Sequence, residues 1–230
     1  MSLGIELFFI ILSWSFLKYM LIHGSSYLYF WKLKPAWIEP YKIQVPERTK
    51  PHALFELKYS MISLLVMSLV LTYMVYFSEL GSQGAQYFKI FSVFGSRGVG
   101  LEIFSIIFYV LYYDAYFYWT HRWMHSGWMY KKIHSIHHRS INPTPFATYS
   151  FHPLEAVVNV FYLVPFLCFF PVSLPTLCGL LIFSDLSNWN GHVGYDFLPR
   201  WSINFLKKWG GITTPTHHNM HHQFSKSNFG

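Results

Sequence analysis

Long apolar stretches constrain the fold of this chain more than any other feature of its sequence. The stretch over 59–77 contains no charged residue and is long enough to cross a bilayer, and an aromatic-rich stretch follows over 101–119. Two more, 154–170 and 172–189, are separated only by a proline and turn residues, which favours a hairpin of spans or half-spans. Charged residues make up 12% of the 230 positions, about half the share of a typical soluble domain. The sequence therefore predicts an all-α integral membrane helical bundle.

The first apolar stretch, 3–31, leaves two arrangements open because Lys18 and His23 interrupt it. Either the Lys18 ammonium snorkels to the membrane surface, or the span ends there and 19–31 lies along the interface. The N-terminus has no basic segment followed by a small-residue cleavage site, so we expect a retained anchor rather than a removed signal peptide. We expect His23 and His52 to be polar surface or interfacial residues.

Basic residues gather in the three segments that alternation of the predicted spans places on one side of the membrane. The opposite side receives the glycine-rich loop over 78–100, with Lys89 and Arg97. An excess of lysine and arginine marks the cytoplasmic side, and it explains the formal net charge of +7 without a nucleic-acid partner. The three segments hold 14 of the 17 basic residues: Lys32, Lys34, Lys42, Arg48, Lys50, Lys58, Arg122, Lys131, Lys132, Arg139, Arg200, Lys207, Lys208 and Lys226.

Histidine is the unusual residue of this sequence, because its 13 copies outnumber the 10 of aspartate and glutamate. Cys168 and Cys178 lie in apolar runs and are expected to be small buried residues, not a thiolate site. The histidines cluster as one HxxxH and two HxxHH motifs just beyond apolar helices. Residues three and four apart share a helix face, so each cluster offers converging imidazoles to a transition metal. The predicted ligands are His121, His125, His134, His137, His138, His218, His221 and His222.

The number and type of these ligands indicate the metal. Eight imidazoles exceed the three or four ligands of a zinc site and suit two ions of moderate coordination number. Iron accepts imidazole ligands and leaves positions open for dioxygen, although zinc could replace it in a structure. The soluble di-iron bundles use glutamates with Glu-x-x-His pairs, and no such pair occurs here. We therefore predict a histidine-rich site for two iron ions in a cytoplasmic cap.

Asp114 is predicted to hold a ligand imidazole in position. It precedes His121 by seven residues on one helix face, and a carboxylate in an apolar span needs a partner. Accepting the spare N–H of an imidazole would meet that need and set the tautomer, whereas a pair with an unidentified cation is the alternative. Glu155, in the element His152-Pro-Leu-Glu155, is a second candidate, and Asp185 could take the role of Asp114.

An ordered set of motifs resembles the fatty acid hydroxylase superfamily, and most nearly its sterol desaturase branch. The resemblance covers about 101–230 and implies a single membrane domain over 1–230, with N-terminal spans in 1–100 and a catalytic region in 101–230. It rests on these elements: 114–125 (DAYFYWTHRWMH), 134–138, His152-Pro153-x-Glu155, His192-x-Gly194, and 218–222 followed by Asn228-Phe-Gly230.

Members of this superfamily are membrane non-haem di-iron oxygenases that use dioxygen and external electrons to hydroxylate, desaturate or cleave lipids. The resemblance therefore implies a lipid substrate, which could be a sterol, a fatty acyl or sphingolipid chain, or an ether lipid. Electrons would come from a separate reductase or carrier, because this chain has no flavin, haem or iron–sulfur motif. The family usually continues past the last histidine cluster, so we expect a short or a truncated member.

The resemblance also changes the predicted ligand set. It adds His192 as a ninth ligand and leaves His217 outside the site. Members commonly carry another histidine four residues before His192, where this chain has Asn188. Asn188 could ligate through oxygen, or the site could have one ligand fewer.

The leading hypothesis is thus an enzyme, a lipid hydroxylase or desaturase of the bacterial inner membrane or the endoplasmic reticulum. The metal centre itself would carry the chemistry, and aromatic residues could line an apolar substrate channel: Phe108, Tyr112 and Tyr116. One alternative is a membrane protein that transports a metal or carries haem for electron transfer. The other is a non-catalytic member that binds lipid.

Overall fold

The structure is a computed structural model that describes residues 3–44, 52–78, 80–81, 87–199, 214–225 and 228–229. Its main elements, in chain order, are α1 (Leu3–Leu33), α2 (Ala53–Tyr76), β1 (Ile90–Phe91), α3 (Val99–Met124), α4 (Pro153–Phe161), α5 (Leu163–Phe169), β2 (Val172–Ser173), α6 (Leu174–His192) and α7 (Pro215–Phe224). Short helical turns lie between them: Ala36–Tyr41, Gly127–Met129, Tyr130–His134, His137–Arg139 and Pro145–Tyr149. Some residues used in the sequence arguments lie outside the described residues: Arg48, Lys50, Arg200, Lys207, Lys208, Lys226 and Gly230.

Among the described residues, three helices are long and apolar enough to cross a membrane: α1, α2 and α3. These helices expose large apolar side chains, such as Ile10 (64% exposed) and Leu111 (69% exposed). Such exposure is unfavourable in water over a large area but not in lipid. The structure therefore confirms an all-α membrane bundle. Its departures, within the described ranges, are the two-residue parallel pairing of β1 with β2 and two isolated β-bridges, and none of these contains a histidine.

Lys18 neither snorkels to the surface nor ends its helix, because it has a buried partner. The helix continues past it through π-helical turns over Met20–Gly24 and Tyr27–Leu33. Lys18 Nζ lies 2.9 Å from one carboxylate oxygen of Asp185 in α6, and His23 Nε2 lies 2.9 Å from the other. His23 is thus fully buried rather than interfacial. These contacts hold α1 against α6, because separating the two helices would leave the buried charge of Asp185 or Lys18 without its partner.

The predicted hairpin is present, but its first arm is interrupted. That arm breaks at Tyr162 into α4 and α5, whereas the second arm, α6, is continuous. Neither arm is among the three described helices that could cross a membrane by length and composition, which favours half-spans. The hairpin packs against α2 and α3 around buried side chains that include Tyr109, Leu163 and Phe166. This core holds the ends of α3 and α6 close together.

Three segments near the histidines begin with a capping side chain followed by proline. The side chain accepts a hydrogen bond from a backbone N–H that the first turn would leave free, and proline has no N–H to satisfy. These caps fix where α4, α7 and the Pro145–Tyr149 turn begin, and so which face each one presents to the rest of the protein. The pairs are Thr144-Pro145, His152-Pro153 and Thr214-Pro215.

Candidate metal centre

The structure brings together all nine histidines that the sequence predicts as ligands. They form two groups, and within each group the candidate ligand atoms all lie within 4.8 Å of one another. All are buried except the partly exposed His125, and His217 belongs to neither group. The first group is His121, His125, His134, His138 and His221, and the second is His137, His192, His218 and His222.

Each HxxHH motif is divided between the two groups. The first and last histidines of a motif, which are four residues apart, stay together, and the middle one joins the other group. On a helix, residues four apart share a face, whereas the residue just before the last points about 100° away. Only the second motif lies on an α-helix, since 134–138 forms a π-helical turn followed by a 3₁₀ turn. One short segment thus serves both groups.

The second group contains a triangle of ring nitrogens that hydrogen bonds cannot satisfy. The Nε2 atoms of His192, His218 and His222 are 3.1, 3.2 and 3.3 Å apart. A nitrogen of a neutral imidazole is either a donor or an acceptor, so three sides cannot all pair a donor with an acceptor. Two nitrogens bound to one ion at about 2.1 Å stand about 3.0 Å apart at 90° and about 3.4 Å at 109°. The triangle has the spacing of nitrogens that share one ion.

The first group has the same spacing. His221 Nε2 lies 3.1 Å from the Nε2 atoms of both His121 and His138. The Nε2 atoms of His125 and His134 are also 3.1 Å apart. Both groups therefore fit a transition-metal ion by donor chemistry and by distance.

The second ring nitrogen of several imidazoles is held by an oxygen acceptor. A proton at Nδ1 leaves the lone pair at Nε2, which fixes the tautomer that can bind a metal there. The Nδ1 donors and their acceptors are His134 to Glu155 Oε1 (2.7 Å), His121 to the Phe229 carbonyl (2.7 Å), His192 to the Asn188 carbonyl (2.7 Å) and His222 to the Ser140 carbonyl (3.0 Å).

Burial keeps the imidazoles uncharged. It lowers the pKa of His134 from its ordinary value of 6.5 to about 3. Burial, together with repulsion from His134 and His221, lowers the pKa of His125 to about 3 as well. A neutral imidazole is the form that binds a metal, so both groups are ready to bind at neutral pH. Burial and neighbouring imidazoles also hold the pKa well below 6.5 for His137, His138, His218 and His222.

Glu155, and not Asp114, supplies the carboxylate that contacts an imidazole. Glu155 is fully buried on α4, and its Oε1 atom accepts the Nδ1 proton of His134. Asp114 is exposed on α3 and has no hydrogen bond or ion pair with the described residues. Seven helical residues span about 10.5 Å along the axis, which is too far for Asp114 to reach the His121 ring. The prediction for Asp114 is corrected for this reason.

The other predicted supporting residues act elsewhere or differently. Asp185 makes the contacts with α1 described above and contacts no clustered histidine. Asn188 contributes its backbone carbonyl to His192, while its side-chain Nδ2 donates to the Tyr113 hydroxyl at 2.9 Å. His152 caps α4 through Nδ1, which accepts from the backbone 3.1 Å away. Asn188 thus contacts His192 through its main-chain carbonyl and Tyr113 through its side chain.

An apolar cavity lies beside the histidines, enclosed by α1, α2, α3, α4, α5 and α6. The empty space between its walls, open mouth included, amounts to about 880 Å³. A smaller pocket, here called the metal pocket, is lined by histidines of both groups and by Glu155. Four residues line both the cavity and the metal pocket, and we call them the neck: Phe117, Phe151, Asn159 and Asn188.

One of the three predicted channel residues lines this cavity, and two do not. Tyr116 is in its wall. Phe108 stacks on Phe170 with ring centroids 4.3 Å apart, and the Tyr112 hydroxyl donates to the Tyr162 carbonyl at 3.1 Å. Both are partly buried and pack against the core of the hairpin, where helical spacing alone had suggested a channel face.

Two kinds of residue at this site were not predicted from the sequence. Backbone carbonyls, such as those of Ser140 and Phe229, accept imidazole protons, and a carbonyl has no signature in the sequence. Asn159 in the neck was also missed, although it follows Glu155 by four residues on α4. A polar side chain in an otherwise apolar helix is the signal that could have found it.

Comparison with known proteins places the chain in a family. The model of the family described as fatty acid hydroxylase matches residues 106–230. The chain is 30% identical over 135 residues to Delta(7)-sterol 5(6)-desaturase of Gibberella zeae, covering 58% of this chain and 36% of that protein. It is 31% identical over 130 residues to lathosterol oxidase of Homo sapiens, covering 56% and 41%. Methylsterol monooxygenase 2-2 of Arabidopsis thaliana is 34% identical over 120 residues, covering 52% and 43%.

The chain thus spans about two fifths of the length of these relatives. No solved structure matches it. The family match covers more than half of the chain and includes every histidine of the two groups. The chain therefore belongs to the fatty acid hydroxylase family, and the relatives named above are a sterol desaturase and two sterol oxidising enzymes.

Proposed function

We propose that this protein is a membrane-bound oxidoreductase that uses two iron ions and dioxygen to hydroxylate or desaturate a lipid. The observation that carries the proposal is the pair of histidine groups, whose nitrogens have the spacing of ligands on a shared ion. Each group would hold one ion. The names of the relatives refer to sterols, which favours a sterol or a similar lipid as substrate.

Iron bound in these groups would supply the activation of dioxygen that oxidation of an unactivated C–H bond requires. The part played by the chain is to bind and orient. Hydrogen bonds at Nδ1 hold the rings with Nε2 facing the centre of each group, and the Glu155 carboxylate makes the bond to His134 charge-assisted. Burial of the histidines excludes bulk water from the site, which limits competing reactions.

The surroundings of the site support a substrate path and an orientation. The apolar cavity and the metal pocket share the residues of the neck, so a lipid entering between the helices would approach the histidines there without crossing water. Exposed basic residues beside the histidine motif 134–138, Lys131, Lys132 and Arg139, favour the cytoplasmic side for this end of the bundle. A separate protein would supply the electrons.

Lipid analysis of cells that express the protein tests the proposal. We expect an oxidised lipid with the wild type and none with His137→Ala, which removes a ligand of the second group. His217→Ala is the matched control, because His217 is a neighbouring histidine outside both groups. Equal product from the wild type and the His137→Ala variant would contradict the proposal. Loss of product in His217→Ala while His137→Ala keeps it would contradict the proposal as well.

Metal analysis of the purified protein is the second test. We expect close to two iron ions per chain and turnover only with added reductant, and zinc in place of iron should give a stable but inactive protein. A haem absorption band, or metal transport in vesicles without lipid oxidation, would instead favour a haem protein or a permease. Iron binding with no lipid product in any cell type would favour a non-catalytic lipid-binding member.

A further inference from the structure

The neck between the apolar cavity and the metal pocket combines two aromatic rings with two side-chain amides. Phe117 and Phe151 supply the rings, and Asn159 and Asn188 supply the amides. These four side chains line both spaces, so a part of a lipid that reached the histidines from the cavity would lie against them. The neck is therefore where the chain can select which carbon of the lipid is presented to the metal pocket.

The amides of the neck have free hydrogen-bonding groups, unlike the hydroxyls of Tyr116 and Ser184 in the same cavity wall. The Tyr116 hydroxyl donates to the Val158 carbonyl at 2.8 Å, and Ser184 Oγ donates to the Leu180 carbonyl at 3.0 Å. The side-chain amide of Asn159 has no hydrogen-bond partner in the part of the chain that the structure describes.

Asn188 completes the set of free amide groups. Its Nδ2 atom donates to Tyr113, but its side-chain oxygen has no partner among the described residues. The neck thus offers one free amide, Asn159, and one free carbonyl oxygen, Asn188. Both side chains are only partly buried, and a lipid that fills the neck would remove their remaining access to water, so a ligand that pairs with these groups is favoured over one that does not.

We propose that Asn159, with Asn188, binds a hydroxyl or carbonyl oxygen of the lipid at the neck. The substrate would then be a lipid whose oxygen function lies within a few bonds of the carbon that is oxidised. An unbranched alkyl chain at the same place would leave the Asn159 amide and the Asn188 side-chain oxygen without a partner. This inference rests on the proposed function, because it assumes that the cavity delivers a lipid to the histidines.

Equilibrium binding tests the inference without turnover. The purified full-length chain in nanodiscs, kept without oxygen or reductant, is titrated with two matched pairs of lipids that differ in one oxygen: lathosterol against cholest-7-ene, and octadecan-1-ol against octadecane. One neutral hydrogen bond contributes about 0.5–1.5 kcal/mol, so we expect the alcohol of at least one pair to bind roughly 2- to 10-fold more tightly. In Asn159→Leu that preference should vanish while the metal content stays that of the wild type.

Two further variants separate recognition at the neck from other causes. Ser15 has a hydroxyl that lines the cavity but not the metal pocket, so Ser15→Ala should keep the preference. Asn159→Asp keeps an acceptor but has no N–H donor when ionised, so it should still bind the alcohol and lose binding of the matching ketone. This second variant also provides the answer if Asn159→Leu does not fold.

Each result decides the inference. It is overturned if the wild type binds alcohol and hydrocarbon equally in both pairs, or if Asn159→Leu keeps the preference. Loss of the preference with Ser15→Ala would place the recognition elsewhere and overturn it as well. Failure of the proposed function looks different, because the wild type would then oxidise no lipid in cells whatever its binding preference.

Discussion

Replacing Glu155 by glutamine tests whether a buried carboxylate tunes the first histidine group. The structure places Glu155 Oε1 2.7 Å from His134 Nδ1, with the carboxylate fully buried. Glutamine keeps the shape and an oxygen acceptor but removes the charge. A bound metal makes the N–H of its ligand imidazole more acidic, so this hydrogen bond strengthens when the metal binds. Loss of the charge therefore weakens the metal complex more than the metal-free protein.

The size of the effect follows from the type of hydrogen bond. A bond to a charged group contributes about 1.5–3 kcal/mol and a neutral one about 0.5–1.5 kcal/mol, a difference of about 1–1.5 kcal/mol. We expect Glu155→Gln to lower the metal affinity of the first group about 5- to 13-fold. Glu155→Ala removes the acceptor altogether and should approach the upper part of the 10- to 100-fold range that is typical of such partners.

The stability of the metal-free protein should respond in the opposite direction or hardly at all. Glu155 Oε2 has no hydrogen-bond partner among the described residues, and burial raises the pKa of Glu155 well above its ordinary value, so the metal-free protein gains little from the charge. Removing it should leave the free energy of unfolding within about 1 kcal/mol of the wild type or raise it. Metal titration of the chelated protein, followed by chemical denaturation in detergent, measures both quantities.

Glu102→Gln is the matched control for this experiment. Glu102 is also buried, but it accepts hydrogen bonds from Ser173 and Thr176 at the other end of α3. It lies 19 helical residues from His121, or about 28 Å. We expect this variant to lose about 1–3 kcal/mol of stability with unchanged metal affinity. Unchanged metal affinity in Glu155→Gln, or an equal loss in the two variants, would refute the reasoning.

Three other perturbations test separate parts of the structure. His218→Ala should lower the iron content from about two ions per chain towards one, measured by elemental analysis, and a value that stays at two would contradict the assignment of His218 to the second group. Asp185→Asn should cost about 3–5 kcal/mol because it leaves Lys18 buried without its anion, and the double variant with Lys18→Met should recover most of that loss in denaturation experiments. In the metal-free protein the pKa of about 3 for His134 and His125 lies below the unfolded value of about 6.5, so the unfolded state binds more protons between these values. The free energy of unfolding should therefore fall as the pH decreases below about 6.5, and a flat profile between pH 7 and pH 5 would contradict this.

The spans were predictable because their signal is local. A run of apolar residues over 59–77 needs no knowledge of its neighbours to be a membrane helix, and the structure has α2 there. Lys18 shows where this reasoning ends. The sequence predicts that its ammonium group reaches the membrane surface or that the span ends there. The partner that the structure shows is instead Asp185, which lies far away in the sequence. Only the packing of α1 against α6 brings the two together.

The histidine groups were predictable as a set but not as two groups. Spacing identifies residues on one helix face, and it grouped His134 with His138 correctly. It could not show that His137 faces the second group, because that depends on where α6 and α7 place their own histidines. The conformation of this segment is also irregular, a π-helical turn followed by a 3₁₀ turn. Ideal helical spacing is a poor guide to ring directions there.

Asp114 and Glu155 show why a supporting carboxylate needs the tertiary structure. Both satisfy the same local rule, a carboxylate beside apolar residues and near a histidine motif. Asp114 shares a helix with His121, and a common helix holds the two at a fixed distance that is too long for a hydrogen bond. Glu155 belongs to a different helix from its partner, so packing is free to set a distance of 2.7 Å to His134. A carboxylate that orients an imidazole is therefore better sought at a buried position on another element than one or two turns away on the same helix.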